Sequence, residues 1–176
     1  EHLGAPGYDT EVAGGYDVYV SRLDAATGQV LATTFIGGTA EDTPVDVAAD
    51  AGGNVTVVGY TLSTDFPVKG GAEHHGGHDG FVATFTRDLD ALVLSTTVGG
   101  TLEDVANAVS ADAEGLVIVS GHTASADLLT TPGAFQPFYG GGPYDAFVLR
   151  LDPDPDLETL GAHADVQRGP RRQDGD

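Results

Sequence analysis

A chain of 176 residues with 40% apolar side chains is long enough for one domain with a real core and too apolar for wholesale disorder. Its 27 acidic against 7 basic residues give a formal charge of −20, which repels phosphate backbones and anionic lipid headgroups and so argues against nucleic acid and membrane-surface partners. Zero cysteines exclude disulfides, thiolate zinc sites and a cysteine nucleophile.

Residues 1–13 read as a partial N-terminal segment. "DVYVSRL" (17–23) then alternates with period 2, the pattern of a half-buried strand, with Tyr19 and Leu23 on one face and Arg22 on the other. The turn "DAATG" (24–28) leads into "QVLATTFIGG", and "VDVAAD" and "NVTVVGY" follow, joined by "AGG" as a hairpin between β-branched runs. "DGFVATF" (79–85) repeats the first strand with Phe81 and Phe85 on its apolar face and Thr84 opposite, before "TRDLDA" and "LVLSTTVGG". "ANAVSAD" and "LVIVSG", joined by "AEG", form the next predicted hairpin. "DAFVLRL" (145–151) is the last strand of the pattern, with Phe147 and Leu151 on one face and Arg150 on the other. No stretch of comparable length shows helical periodicity.

The chain repeats itself. Shifted by 62 positions, residues 14–66 match 76–128 without a gap, and 21 of the 53 positions are identical. Gly37-Gly38-Thr39 falls on Gly99-Gly100-Thr101, Glu41-Asp42 on Glu103-Asp104, and Asp65 on Asp127. A third copy begins at "GGPYDAFVLRLD" after four extra residues, which makes Asp17, Asp79 and Asp145 equivalent. The expected organisation is therefore a first repeat at 14–75, a second at 76–140, the start of a third at 141–152, and an acidic then basic tail at 153–176 that leaves the pattern and is expected to be disordered or non-native. A four-stranded unit with one apolar face needs neighbours stacked against it. Four antiparallel strands per repeat suit a β-propeller-type blade, whereas β-helix coils are shorter and lack hairpins. The expected fold is thus all-β: an incomplete propeller of about two full repeats plus partial ones.

"TFIGGTAEDTPVDVAADAGGNVTVVGYTLSTDFP" (34–67) with "GGHDGFVATF" (76–85), and again "STTVGGTLED", "TTPGAFQ" and "DAFVLRL", resembles the SBBP repeat of bacterial surface and secreted proteins. The resemblance spans about 14–152. It implies a β-propeller and an extracellular or cell-surface setting, and it brings no catalytic residues to carry over.

The heptapeptide "EHHGGHD" (73–79) gathers three of the six histidines. His78, however, falls on Tyr16 and Tyr144, which cannot replace an imidazole ligand, and His74 and His75 lie in a variable loop, so exposed loop histidines are the expected reading. The recurrent carboxylates Glu41, Asp42, Asp65, Glu103, Asp104 and Asp127 are candidate calcium ligands, because calcium takes several loop oxygens. The competing reading has them accept hydrogen bonds from turn amides, and repetition favours it, since every repeat needs its turn. "DPDPDLE" (152–158) fails as an EF-hand at Leu157 and His163, and "NVT" (54–56) is a glycosylation sequon by letters alone. No nucleophile elbow, phosphate loop or zinc-protease motif occurs.

The expected function is a non-catalytic propeller segment serving as a structural or protein- or glycan-binding module, with no resident cofactor unless calcium binds. The alternative is a fragment of a secreted propeller hydrolase whose catalytic residues lie elsewhere. Because no methionine is present and the N-terminus lacks a signal-peptide pattern, the chain is expected to be processed or part of something longer. Nothing approaches the ~18 apolar residues of a membrane helix. Further blades in cis or self-association are the expected partners of its open faces.

Overall fold

The structure is a computed structural model; it describes residues 5–72, 74–152 and 167–168, with the side chains of 5–6 and 167–168 left aside. Glu73, residues 1–4 of the N-terminal segment and most of the 153–176 tail lie outside the described residues. Eleven strands and no helix occur among the described residues: β1 (Ala5–Pro6), β2 (Val18–Leu23), β3 (Val30–Ile36), β4 (Asp42–Ala49), β5 (Val55–Thr61), β6 (Asp79–Phe85), β7 (Leu92–Val98), β8 (Asp104–Ala111), β9 (Val117–Thr123), β10 (Asp145–Leu151) and β11 (Gln167–Arg168).

Three sheets result, ordered β1-β3-β2, β4-β5-β6-β7 and β11-β10-β9-β8, and none closes into a barrel. Every pairing between neighbouring strands is antiparallel except that of β1 with β3. The sheets change over at the two Gly-Gly-Thr loops, after Ile36 and after Val98. The complete middle sheet therefore takes its first two strands from residues 42–61 and its last two from 79–98, on either side of the 75/76 boundary that sequence similarity suggested. Within the tail, Gln167 and Arg168 pair with Val148 and Phe147, as Thr96 and Thr97 pair with Val82 and Phe81.

Local chemistry recurs with the 62-residue spacing. The β4–β5 ladder slips between Pro44 and Asp46, and the β8–β9 ladder slips between Ala106 and Ala108. Such a bulge suits Pro44, which has no amide hydrogen for the ladder. Both hairpins turn on an aspartate whose carbonyl accepts from a glycine three residues later: Asp50 from Gly53 and Asp112 from Gly115. Those glycines have φ of 88° and 90°, a left-handed conformation that side chains with a Cβ rarely adopt.

The core lies in two layers, one on each face of the middle sheet. Val18, Val20, Ala32 and Ile36 of the first sheet pack against Val57, Phe81, Ala83 and Phe85 of the middle one. On its other face, Val58, Val82 and Val98 meet Val119, Phe147, Leu149 and Leu151 of the third sheet. Polar contacts tie the layers as well. Arg22 Nη1 donates to the Arg87 carbonyl at 3.0 Å and to Asp88 at 2.6 Å, and the Val109 amide donates to Asp46 at 2.9 Å.

Candidate functional site

The recurrent polar residues collect at the loops where one sheet hands over to the next. Asp42, the first residue of β4, is buried; its Oδ2 accepts from the Gly38 amide at 2.8 Å and from Ser63 Oγ at 2.9 Å, and its Oδ1 from Thr61. Ser63 Oγ in turn accepts from the Ala40 amide at 2.9 Å, and Asp65 Oδ1 accepts from the Thr39 amide and hydroxyl at 2.9 and 3.1 Å. The second junction repeats the arrangement. Asp104 accepts from Gly100 and Ser125 at 2.8 and 2.7 Å, Asp127 from the Thr101 amide and hydroxyl at 3.1 and 3.2 Å, and Ser125 from the Leu102 amide at 2.9 Å. The "TxSxD" and "GGTxED" stretches thus bolt one loop to another. The Thr39 amide holds the Asp65 carboxyl below the usual carboxylate range, and the Thr101 amide does the same for Asp127.

A second carboxylate meets each of these loops. Asp17 and Asp79, whose equivalence was legible in sequence, stand beside Asp42 and Asp104 respectively, a pairing that sequence reasoning missed. A Cβ added to Gly37 would lie 2.7 Å from Asp42 Oδ2 and 2.8 Å from Asp17 Oδ1; one added to Gly99 would press on Asp79 and sit 3.1 Å from Asp104 Oδ2. Asp79 Oδ2 accepts from the His75 amide at 2.6 Å, as Asp17 Oδ2 accepts from the Ala13 amide at 2.6 Å and Asp145 from that of Gly140. Burial pushes the Asp79 carboxyl up, opposed by the His75 amide and the neighbouring histidines and reinforced by the Asp104 charge. The only signal in the sequence was the shared 62-residue offset of both aspartates, which says nothing about their distance.

Glu41 and Glu103 point elsewhere. Glu103 accepts from the Tyr144 hydroxyl at 3.2 Å and lies 3.8 Å from both His78 and His122. Its hydrogen bond raises the Tyr144 hydroxyl above its usual range. Glu41 accepts from Tyr60 at 3.4 Å, and Tyr60 rests on the His78 ring at 4.9 Å, while His122 meets Tyr144 edge-on at 5.0 Å. A connected row of carboxylates and rings therefore runs along one end of the stacked sheets, from Glu41 to Tyr144. His78 enters it through ring contact, at the position where the other copies carry tyrosine. His74 Nε2 instead meets the Gly77 carbonyl at 2.9 Å. Among the described residues no group of three or more histidine and carboxylate side chains is placed to hold a metal ion.

Elsewhere, a groove of about 530 Å³ opens between the β7 edge and β10, lined by Thr96, Thr97, Leu128, Pro132 and Leu149 among others. Comparison with protein-family models and with curated proteins returned no match to the chain.

Proposed function

We propose that this chain is a non-catalytic β-propeller-type segment of a bacterial surface or secreted protein, acting as a structural scaffold that binds a protein or glycan. One observation carries the reading: the same serine–aspartate lock joins Gly38 to Ser63 and Gly100 to Ser125, 62 residues apart, the aspartate each time accepting from the glycine amide and the serine hydroxyl. A reactive centre needs a singular arrangement, and this one is duplicated. The propeller-type reading is supported by a four-stranded meander, β4-β5-β6-β7, flanked on both faces by further sheets. The bacterial surface setting rests on the SBBP-like motifs alone.

The row from Glu41 to Tyr144 is the surface for the ligand. Tyr144 is an exposed ring, and Glu103 is a half-exposed acceptor between it and the histidines, a combination that can stack on a sugar face and accept its hydroxyls. The test is binding and turnover measured together on panels of surface glycans and proteins and on glycoside, ester and peptide substrates. Saturable binding that Tyr144→Ala and Glu103→Gln weaken, with every ligand recovered unchanged, is the expected result. Turnover abolished by one substitution within this chain overturns the proposal.

A further inference from the structure

The two outer faces of the stack are the counterparts of faces that are covered inside it. At each internal junction, the valine side of the earlier sheet packs on the aromatic side of the later one. Val18 and Val20 pack on Phe81 and Phe85, and Val58 and Val82 pack on Phe147 and Leu151. Tyr19 and Leu23 occupy the positions of Phe81 and Phe85, yet they are 54% and 55% exposed on the free side of the first sheet, beside half-exposed Leu31. Val148 occupies the position of Val82 and is 41% exposed on the free side of the third sheet, with Ile118 at 44%. Among the described residues the stack therefore presents one unmatched aromatic face and one unmatched valine face, the two halves of a junction it builds twice internally.

We propose that the chain binds a second copy of itself head to tail, the Val148–Ile118 face of one copy on the Tyr19–Leu23 face of the next. This deepens the scaffold reading and rests on its stacked sheets. The contact is heterologous, since each copy contributes a different surface; a two-fold contact would set aromatic face on aromatic face, which neither internal junction does. Arg150, exposed on the valine face, does not speak against burial there. Arg22 holds the same repeat position on a covered face and reaches Asp88 and the Arg87 carbonyl of the neighbouring sheet. By the same relation Arg150 would address the 24–26 turn of the incoming copy. Each copy carries a formal −20, so repulsion opposes the contact and added salt strengthens it.

The test is sedimentation velocity on the full chain over a concentration series at low and high sodium chloride, with Leu23→Glu and Val148→Glu as variants. Both substituted residues are exposed, and a thermal melt verifies that each variant folds. The wild type assembles with concentration, more tightly at high salt, and each variant alone loses association by about tenfold or more, because a carboxylate must be buried in the contact. Mixing the two variants restores a single intact junction and gives a two-chain complex that grows no further. A wild type that stays monomeric throughout overturns the proposal and leaves both faces to another protein or to further sheets of a longer chain. Val148→Glu assembling like wild type also overturns it, since that means pairing through the aromatic face alone. None of these failures touches the ligand-binding result for the Glu41–Tyr144 row, which is read separately.

Discussion

Strands β6 and β10 hold the same place in their sheets and share Asp, Phe and Val at their first, third and fourth positions, yet they live in different surroundings. All seven residues of β6 are buried, whereas β10 alternates, with Phe147, Leu149 and Leu151 inside and Ala146, Val148 and Arg150 outside. The pleat is the same in both. What differs is the number of sheets beside them: β6 lies between two, β10 against one. Burial in this molecule is thus a property of position in the stack, and a valine is core or surface according to whether another sheet stands over it.

The sharpest way to break that comparison is to truncate equivalent rings. Phe81→Ala removes a fully buried side chain between two sheets and is expected to cost about 3–5 kcal/mol, whereas Tyr19→Ala at the equivalent position on the open face should change stability by about 0.5 kcal/mol or less. Urea denaturation of both variants, at a dilution where copies stay apart, checks it, and equal costs would mean that the first sheet's outer face is covered within the single chain. Gly99→Ala comes next. Its methyl would press on Asp79 and Asp104 at the junction between covered layers, with an expected loss of about 1–3 kcal/mol by thermal melting.

A finer separation comes from pH. Asp127 is held low by the Thr101 amide, so its contribution is present above the usual carboxylate range and disappears as pH falls through its depressed value. Asp79 is pushed up by burial; its contribution is present in acid and is lost as pH rises through its raised value. Melting curves across the acid-to-neutral range should therefore show Asp127→Asn losing stability at neutral pH but not in strong acid. Asp79→Asn should gain on the wild type as pH rises. Parallel curves for the two variants would contradict the assignment of one carboxylate to an exposed loop lock and the other to a buried junction. The smallest expected effect is that of calcium: Asp42, Asp65, Asp104 and Asp127 already accept from amides and hydroxyls, so calorimetry on a chelator-stripped sample should show no heat and no shift in melting.

Much of the strand pattern was legible beforehand. Period-2 alternation in "DVYVSRL", "DGFVATF" and "DAFVLRL" marks β2, β6 and β10, and "AGG" and "AEG" mark the β4–β5 and β8–β9 hairpins. The phase of the sheets was not legible. Similarity between 14–75 and 76–140 has the same strength wherever the cut is placed, whereas hydrogen bonding makes the break at Gly37 and Gly99, inside each similar stretch. The candidate site was half legible. That Asp42 and Asp104 serve turn amides follows from their recurrence, but their approach to Asp17 and Asp79, and the meeting of Tyr60 with His78, depend on two sheets coming together at one end.

Alternation, turn glycines and a 62-residue period were enough to dictate extended strands and tight hairpins, because those preferences act over a few neighbouring residues. Which side of each strand became interior, and which carboxylates became neighbours, was decided only when the sheets stacked. Desolvation and charge proximity depend on atoms far along the chain, and so equivalent letters at Tyr19 and Phe81, or at Val148 and Val82, end in different solvents.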